Sequence, residues 1–452
     1  MNFKIAVVIC NWNKKYWLTQ CIQSLLKSSL GSFELIVVDN ASTDGSVGAI
    51  MEQFGNKVNI IVNKENKGGS GGFNTGIRIA LEKGYKYIHL LDNDVIVDPK
   101  AIEELFYFME ENPDVAAAGS KIYSFDQPNH LQELGASINW NEFNIRPNYK
   151  GYIDDETIPE LIECDYVPAC SVMVQAEVIK KVGLMDESFF IYWDDIEWFY
   201  RMKLAGYRIV ANSRSKVWHK MGASNHYNTF ATYYFWRNRI HFFTRYCNEL
   251  TIMKFSEKIF DDLFQAVFFS NYKKQYNVSK TLLIALQDAL DLKVGKALEE
   301  RIFDREQSDN RFQDIIKQHQ QISLIDCGDF NIMKKLTNYI LHVNPNIYIT
   351  ILSKNKYIVQ QFRNINIDSI DLIENYRGQP IFQVCNHIKD VINTSKIDIY
   401  KLYYVDQYMN VLLNKEDMEQ IKKYEQTYKT ARKIFLPVVK NKIKDLKTRL
   451  VR

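Results

Sequence analysis

Several groups of residues in this sequence have the types and spacing that chemistry needs. The first is Asp92-Asn93-Asp94, at the end of the apolar run Tyr87–Leu91. Two carboxylates at i and i+2 on a strand-to-loop turn can reach one cation. Hard ions such as Mg²⁺ or Mn²⁺ take a few carboxylate oxygens together with substrate phosphate oxygens. Asp and Asn also favour turns by bonding their own backbone, so the tripeptide taken alone suits a plain turn better, and it is its place after the apolar run that favours a site. The second group is the stretch Phe189–Tyr207. Its spacing predicts a helix from Asp195 to Ala205, ended by Gly206. Asp194 falls at the N-cap with Glu197 three residues on, a capping box. That leaves Asp195 with no structural task. A carboxylate in the first turn is held ionised by the helix dipole, and there it can act as a general base toward a hydroxyl. Tyr192, Trp193 and Trp198 offer flat apolar faces to a bound ring, although each would also suit a core, Trp198 most of all. His219 comes 25 residues after Asp194. A lone histidine is usually structural, but two carboxylates and one imidazole suit Mn²⁺.

A further group is Asn66–Gly76, NKGGSGGFNTG. Its five glycines let backbone approach a ligand at a helix start, where N–H groups favour phosphate. Asn66, Gly72 and Asn74 are the donor-binding candidates here. The segment is not the dinucleotide motif, because Asn74 stands where its last glycine would be. It is not a P-loop either, since no Gly-Lys-Ser/Thr follows.

These residues need elements to position them. Lys4–Cys10, Phe33–Asp39, Asn59–Val62 and Tyr87–Leu91 read as short buried strands, with helices over Trp17–Ser28 and Gly72–Lys83 between them. That alternation predicts an α/β fold with a mainly parallel sheet covered on both faces. Ligands of such sheets bind at the carboxyl ends of the strands. Asn11, Asn13, Asp39 and the Asp92–Asp94 turn all fall there.

The chain has 452 residues, 46% hydrophobic and 25% charged, which predicts two or three units. We expect an α/β domain over 1–250, a helical segment over 251–320, a small α/β unit over 321–405 and basic helices over 406–452. The 321–405 unit is expected to pack or form oligomer contacts without a catalytic site, its Asp326, Asp329 and Asp406 serving turns and caps. The seven cysteines include no C-x-x-C pair and read as reduced thiols. Neither a signal peptide nor a membrane-spanning segment is expected.

Taken together, the motifs resemble glycosyltransferase family 2, with its GT-A fold, over residues 3–250. The pieces that carry the resemblance come in the family's order: Asn11-Trp12-Asn13, then Val38-Asp39-Asn40-Ala41-Ser42-Thr43-Asp44-Gly45-Ser46, then the Asn66–Gly76 loop, then Asp92-Asn93-Asp94. Phe190-Ile191-Tyr192-Trp193-Asp194-Asp195, Gly206-Tyr207, Trp218-His219 and Trp236-Arg237-Asn238-Arg239 are similar to bacterial galactofuranosyltransferases and their rhamnosyltransferase relatives. The resemblance implies that Asp39 reads the pyrimidine base. It makes Asp92, Asp94 and His219 ligands of Mn²⁺ or Mg²⁺. Asp195 becomes the base for the acceptor hydroxyl, with Asp194 and Trp193 beside it in the acceptor site. Asn93 departs from the third Asp that many galactofuranosyltransferases carry.

The implied activity is inverting transfer of a sugar, galactofuranose or rhamnose, from a UDP- or dTDP-linked donor to a bacterial cell-surface glycan or lipid-linked acceptor. The alternatives are an inactive scaffold that binds nucleotide-sugars, or a nucleotidyltransferase, which would want a glycine-rich loop where NWNKKYW stands. Net charge is +3, but residues 422–452 alone carry eleven Lys/Arg against two Asp/Glu. A mildly acidic body with a basic end is not the pattern of a nucleic-acid binder, and no nucleic-acid partner is expected. This charge distribution fits a cytoplasmic protein whose tail meets the anionic inner face of the plasma membrane. Pro437 is expected to break the tail, with a last helix burying or inserting Val439, Ile443, Leu446 and Leu450.

Overall fold

The computed structural model describes residues 4–220, 228–306, 310–354, 362, 365–391 and 402–450. The chain forms two compact units, one of residues 1–258, 284–304 and 442–452, the other of residues 259–283 and 305–441.

In the first unit the elements are β1 (Ile5–Asn11), α1 (Lys15–Leu25), β2 (Glu34–Asp39), α2 (Ser46–Phe54), β3 (Asn59–Val62), α3 (Gly68–Glu82), β4 (Tyr87–Asp92), β5 (Val95–Val97), α4 (Ala101–Glu111), β6 (Val115–Ser124), β7 (Leu131–Glu133), the hairpin β8 (Ala136–Asn139) and β9 (Asn144–Pro147), β10 (Leu161–Glu163), β11 (Ser171–Gln175), α5 (Ala176–Val182), α6 (Asp194–Leu204), β12 (Arg208–His219) and α7 (Phe230–Tyr246). Helices α8 (Glu249–Tyr272) and α9 (Tyr276–Leu290) follow.

One sheet runs β10-β12-β6-β11-β4-β1-β2-β3, with β5 on β12 and β7 on β6. Strands β3, β2, β1 and β4 are parallel, and β11 lies antiparallel between β4 and β6. The chain steps outward from β1 to β3, and α3 then returns it to β4 on the other side of β1. That reversal opens a crevice at the carboxyl ends of β1 and β4, where α/β sheets bind ligands. The register sets Cys10 against Asp92 and Asn11 against Asp39, so three strand ends share one rim. This is the sheet expected of a GT-A fold.

Both faces of β1 and β2 are buried, which explains their unbroken Val/Ile runs. Leu18, Ile22 and Leu25 of α1 and Ile102, Leu105 and Met109 of α4 pack against Ile5, Val7 and Ile9 on one face. On the other face the glycine run has a different use from the one expected. It lies inside α3, which begins at Gly68 rather than Gly72. A Cβ on Gly72 would sit 2.1 Å from Cys10 Sγ, and one on Gly76 would sit 2.3 Å from Val8 Cγ1. These glycines let α3 lie close on β1.

The second unit contains α10 (Arg311–Gln318), β13 (Gln321–Ile325), α11 (Phe330–Val343), β14 (Tyr348–Ser353), β15 (Asn366–Ser369), β16 (Ile381–Cys385), α12 (Ile388–Val391), β17 (Tyr403–Asp406) and β18 (Val411–Leu412). Its sheet order is β15-β14-β13-β16-β17-β18, parallel except for β18. The core is Ile322, Leu324, Met333, Leu336, Ile351 and Phe382 with their neighbours.

Helix α13 (Lys415–Leu450) closes the described chain and runs unbroken through Pro437. The expected break does not form. Leu436 and Val439 are buried on either side of the proline, and burial of two such side chains is of the size that can offset the roughly 3 kcal/mol that an interior proline costs. Val439, Ile443 and Leu446 are buried as well, so the predicted apolar face is docked within the protein. No helix among the described residues is long and apolar enough to cross a membrane. All seven cysteines are free thiols.

Candidate active site

The rim of the first sheet gathers the acidic residues. Asp92 ends β4, Asp94 lies in the turn to β5, and β12 brings His219 beside β5 by pairing it with Val95. His219 Nε2 lies 3.3 Å from Asp94 Oδ1 and 4.0 Å from Asp92 Oδ2. The side-chain amide of Gln132, on β7, lies against the other ring nitrogen, with Oε1 3.2 Å from Nδ1. An N–H held there turns Nε2 toward the carboxylates, as imidazole ligands of metals are commonly oriented. Lys14 Nζ reaches Asp94 Oδ2 at 2.6 Å. Neither Gln132 nor Lys14 was singled out from sequence. Gln132 carries no motif, while the place of Lys14 beside Asn13 was a usable sign.

The electrostatics follow from this crowding. Burial alone would raise the Asp94 carboxyl, but the bonds and charges of His219 and Lys14 outweigh it and hold it below the usual range. The Asp92 side chain is still 38% exposed, yet its carboxyl is pushed up, first by loss of bulk water and then by Asp94. Burial would lower His219, but Asp94 and then Asp92 draw it upward. Ligand atoms of Asp92, Cys170 and His219 lie within 4.8 Å of one another. Burial drives the Cys170 thiol well up, so it stays protonated and offers little to a hard cation. Two carboxylates and an imidazole are a donor set that fits Mn²⁺ or Mg²⁺.

The second acidic pair is delivered by an unusual turn. Phe190, Tyr192 and Trp193 all take positive φ, at 67°, 62° and 68°. For residues other than glycine such conformations cost energy and persist only when their surroundings impose them. Here α7 imposes them. Asn238 Nδ2 donates to the carbonyls of Phe189, Ile191 and Tyr192 at 2.8–2.9 Å. The buried Arg237 guanidinium donates to Phe189 O and Gly295 O and lies over the rings of Tyr233 and Tyr234. The residues that carried the second half of the family resemblance therefore have a structural task.

The turn changes the expected cap. Trp193 is the N-cap of α6 and Asp194 its first residue, so no capping box forms. Glu197 instead accepts from Arg201 and Tyr246. Trp193, expected in an acceptor site, is 1% exposed and packs on Phe235, Phe242 and Phe243. It is a core residue because the left-handed turn points it inward. Tyr192, 39% exposed, is the ring that faces out.

Asp195 Oδ2 accepts the N–H of Ala169 at 3.2 Å and Oδ1 accepts that of Ile196 at 2.8 Å. Burial pushes Asp195 up to about 6, and the charge of Asp92 adds to this. Asp194 is more enclosed and is pushed up to about 7 by burial and then by Asp195. Its Oδ2 lies beside Gly69, 3.3 Å from where a Cβ would stand. Glu133, next to Gln132, is a third enclosed carboxyl, raised to about 7 by burial. It too was missed, because an isolated Glu in a polar stretch carries no signal.

The donor candidates divide. Asp39 and Asn11 are buried on the rim, with Asn11 Nδ2 donating to Asp39 Oδ1 at 3.0 Å. Asn93 Nδ2 donates to Asn11 Oδ1 at 2.7 Å, a bond the more usual Asp could not make when ionised. Asn13 is exposed at φ 50° and accepts the N–H of Thr43. Asn66 accepts from Asn40 and from the N–H of Gly68. Asn74 is wholly buried and spends its amide on Met185 and Glu187. Asn74 and Gly72 therefore brace the fold rather than a ligand.

Residues 6–178 match the family model Glycosyl transferase family 2. The match ends before α6, so Asp194, Asp195, His219 and Asn238 lie beyond it. Glycosyltransferase GlyG of Streptococcus pneumoniae is 35% identical over 131 residues, 28% of this chain and 42% of that protein. Low-salt glycan biosynthesis hexosyltransferase Agl10 of Haloferax volcanii is 24% identical over 211 residues, 44% of this chain and 61% of that protein. The chain thus spans less than two thirds of the length of either relative. The solved S. aureus TarS superposes with a TM-score of 0.43 at 14% identity, covering 76% of this chain and 53% of that one.

Proposed function

Through residues 6–178 the chain carries a family 2 glycosyltransferase domain, and from that premise we propose that it transfers a sugar, with inversion, from a nucleoside-diphosphate donor to a hydroxyl of a bacterial surface glycan or lipid-linked acceptor. The observation that carries this reading is the pairing of two acidic centres on one rim. Asp92, Asp94 and His219 sit together, and Asp195 lies close enough to feel the charge of Asp92.

In this reading Asn11 and Asp39 receive the nucleoside, Asp39 taking the base edge. Asn13 and Asn66 hold the loops around it. Asp92, Asp94 and His219 hold a divalent cation, Mn²⁺ or Mg²⁺. Such an ion would supply positive charge for the leaving diphosphate. Asp195 takes the proton of the acceptor hydroxyl as that oxygen attacks the anomeric carbon from the face opposite the leaving group. Its two N–H bonds fix the carboxylate's direction, and its raised pKa brings it near the range where a base accepts protons efficiently. One displacement inverts the centre. Asp194 and the exposed face of Tyr192 line the acceptor side.

The residues Phe190–Asp195 and Trp236–Arg239 support UDP-galactofuranose and dTDP-rhamnose as leading donors. Helix α13 supports a place on the cytoplasmic face of the membrane, since exposed Ile434, Phe435 and Val438 stand among exposed lysines. The second unit, with residues 321–405 at its centre, is assigned packing or oligomer contacts. The test is donor hydrolysis across a panel of nucleotide-sugars with and without Mn²⁺. Release of nucleoside diphosphate from one of these donors, dependent on the ion, is expected. No hydrolysis of any donor would overturn the reading.

A further inference from the structure

Lys14 has no task in the reaction outlined above, yet its position is built. Asn13, in the left-handed region at φ 50°, turns the chain after β1 back over the rim. Two bonds pin that turn, from the N–H of Asn13 to Ser42 Oγ at 2.9 Å and from the N–H of Thr43 to Asn13 Oδ1 at 2.7 Å. Lys14 follows, and α1 starts immediately after it. The side chain is only 19% exposed, and its ammonium lies 2.6 Å from Asp94 Oδ2. The other oxygen of Asp94 faces His219. One enclosed carboxylate is thus shared between an imidazole and an ammonium, while Asp92 lies farther from the same imidazole nitrogen, at 4.0 Å.

We propose that Lys14 couples cation binding to diphosphate binding: it holds Asp94 in the free enzyme and moves to the donor's phosphates when the cation is seated. The proposal rests on the metal reading of Asp92, Asp94 and His219. A divalent cation on Asp94 and an ammonium on the same carboxylate repel each other, and the repulsion is strong in a site largely closed to water. Lys14 therefore weakens the cation's hold in the absence of donor. With the two carboxylates ionised and the imidazole neutral, Asp92, Asp94 and Lys14 together carry one net negative charge, so a bound cation leaves the site net positive. A diphosphate restores the balance and offers the ammonium a new anionic partner. The lysine stem is flexible and its three N–H donors can be redirected. Binding of either species then favours the other, and linkage makes the coupling reciprocal. The ammonium also ends beside the leaving group, where it positions the phosphates.

The experiment is calorimetric titration of Mn²⁺ into the full chain, with and without UDP, for the wild type, Lys14→Gln, Lys14→Arg and the exposed neighbour Lys15→Gln. In the wild type, UDP should tighten Mn²⁺ binding by about tenfold or more, within the usual range of such couplings. Lys14→Gln should bind Mn²⁺ alone about tenfold more tightly than the wild type and lose most of the gain from UDP. Lys14→Arg should keep part of that gain, and Lys15→Gln should behave as the wild type. Damage to the fold would weaken Mn²⁺ binding, the opposite sign, so it cannot imitate the result. Unchanged or weaker Mn²⁺ binding by Lys14→Gln would overturn the role of Lys14 and leave the metal reading standing. Absence of Mn²⁺ binding by the wild type, even with UDP, would overturn the metal reading and this proposal together.

Discussion

The two units wind the same way and do different things with the same address. In the first, β3-β2-β1-β4 reverses direction between β1 and β4; in the second, β15-β14-β13-β16 reverses between β13 and β16. Both place acidic residues at the carboxyl ends of these strands. In the second unit the carboxylates are spent largely on backbone N–H groups and neutral side chains, although Asp406 also has His387 Nδ1 3.5 Å away. Asp329 caps α11 by accepting from Asn331 and Ile332. Asp326 accepts from the N–H of Gly328 and from Ser353. Asp406, fully buried, accepts from the N–H groups of Ile388, Tyr408 and Asn410 and from the Asn410 amide. In the first unit, among the described residues, the carboxylates of Asp92 and Asp94 are faced chiefly by groups that carry or can carry positive charge, His219 and Lys14, with the Cys170 thiol near Asp92. A fold provides the crevice; whether its carboxylates are already satisfied decides whether the crevice has capacity left for a ligand.

The largest expected effect tests that contrast directly. Asp94→Ala should cut transfer by roughly a thousandfold or more, since a metal-centred charge is worth several kcal/mol in the transition state. Its melting temperature should move little. Asp406→Ala should do the reverse. It strands several buried N–H donors, and unfolding should become easier by about 3 kcal/mol or more, with little change in rate per folded molecule. EDTA should reproduce the first variant and not the second. An Asp94→Ala enzyme with full activity, or an Asp406→Ala protein with unchanged stability, would break the comparison.

Next comes Asp195→Asn, which keeps the shape and can still be bonded by the N–H of Ala169 but cannot take a proton. Turnover should fall by about a hundredfold or more with donor binding retained. The working form is the ionised carboxylate, so the wild-type rate should rise with pH through the region of Asp195, which burial sets at about 6, toward that of Asp194, at about 7. Loss of this ascending limb in Asp195→Asn would identify the base. If Asp194→Asn proves the more damaging change, the two roles are reversed.

How much of this was readable from the residues depends on the range of the interaction that fixes each one. Strand ends such as Asn11, Asp39 and Asp92 were legible because apolar runs stop there, and a sheet forces such ends to one rim. His219 could be suspected only by type, since its meeting with Asp94 needs β12 to pair with β5, more than a hundred residues away in sequence. The glycine run was read as a phosphate cradle because glycine tells only that a side chain is excluded. It does not tell whether a ligand or, as here, Cys10 and Val8 exclude it. The capping box failed for a similar reason. Asp194 and Glu197 have the right spacing, but Asn238 and Arg237 hold the preceding turn in left-handed conformations that no local pattern reveals.

That turn gives a smaller, sharper test. Asn238→Ala removes the donors to three carbonyls and should free Phe190, Tyr192 and Trp193 from an imposed strain of roughly 1–3 kcal/mol each. The expected result is a fall in turnover of about tenfold or more, with Mn²⁺ binding unchanged, because Asp92, Asp94 and His219 do not depend on the turn. A variant that loses metal binding and turnover equally would show the two acidic centres to be one mechanical unit.

The smallest effect belongs to α13. Of the two readings of its apolar face, docking and insertion into a membrane, the structure has the docked one, since Ile443 and Leu446 are fully buried and Val439 nearly so. What remains outside is a different set, Ile434, Phe435 and Val438, each more than half exposed, on a helix where Lys433, Lys442 and Lys444 are exposed as well. Three apolar side chains are a small anchor, and each lysine near an anionic surface adds only ~1 kcal/mol, so any attachment is reversible and sensitive to salt. Replacing all three apolar residues by Asn touches no buried position and should leave folding intact. The full chain should co-sediment with vesicles containing anionic lipid at low salt, be released at high salt and ignore neutral vesicles. The triple variant should stay in the supernatant throughout. If the wild type is recovered equally from anionic and neutral vesicles, or the triple substitution changes nothing, α13 is a structural helix with a solvated basic back, and the difference between the two units ends at their strand ends.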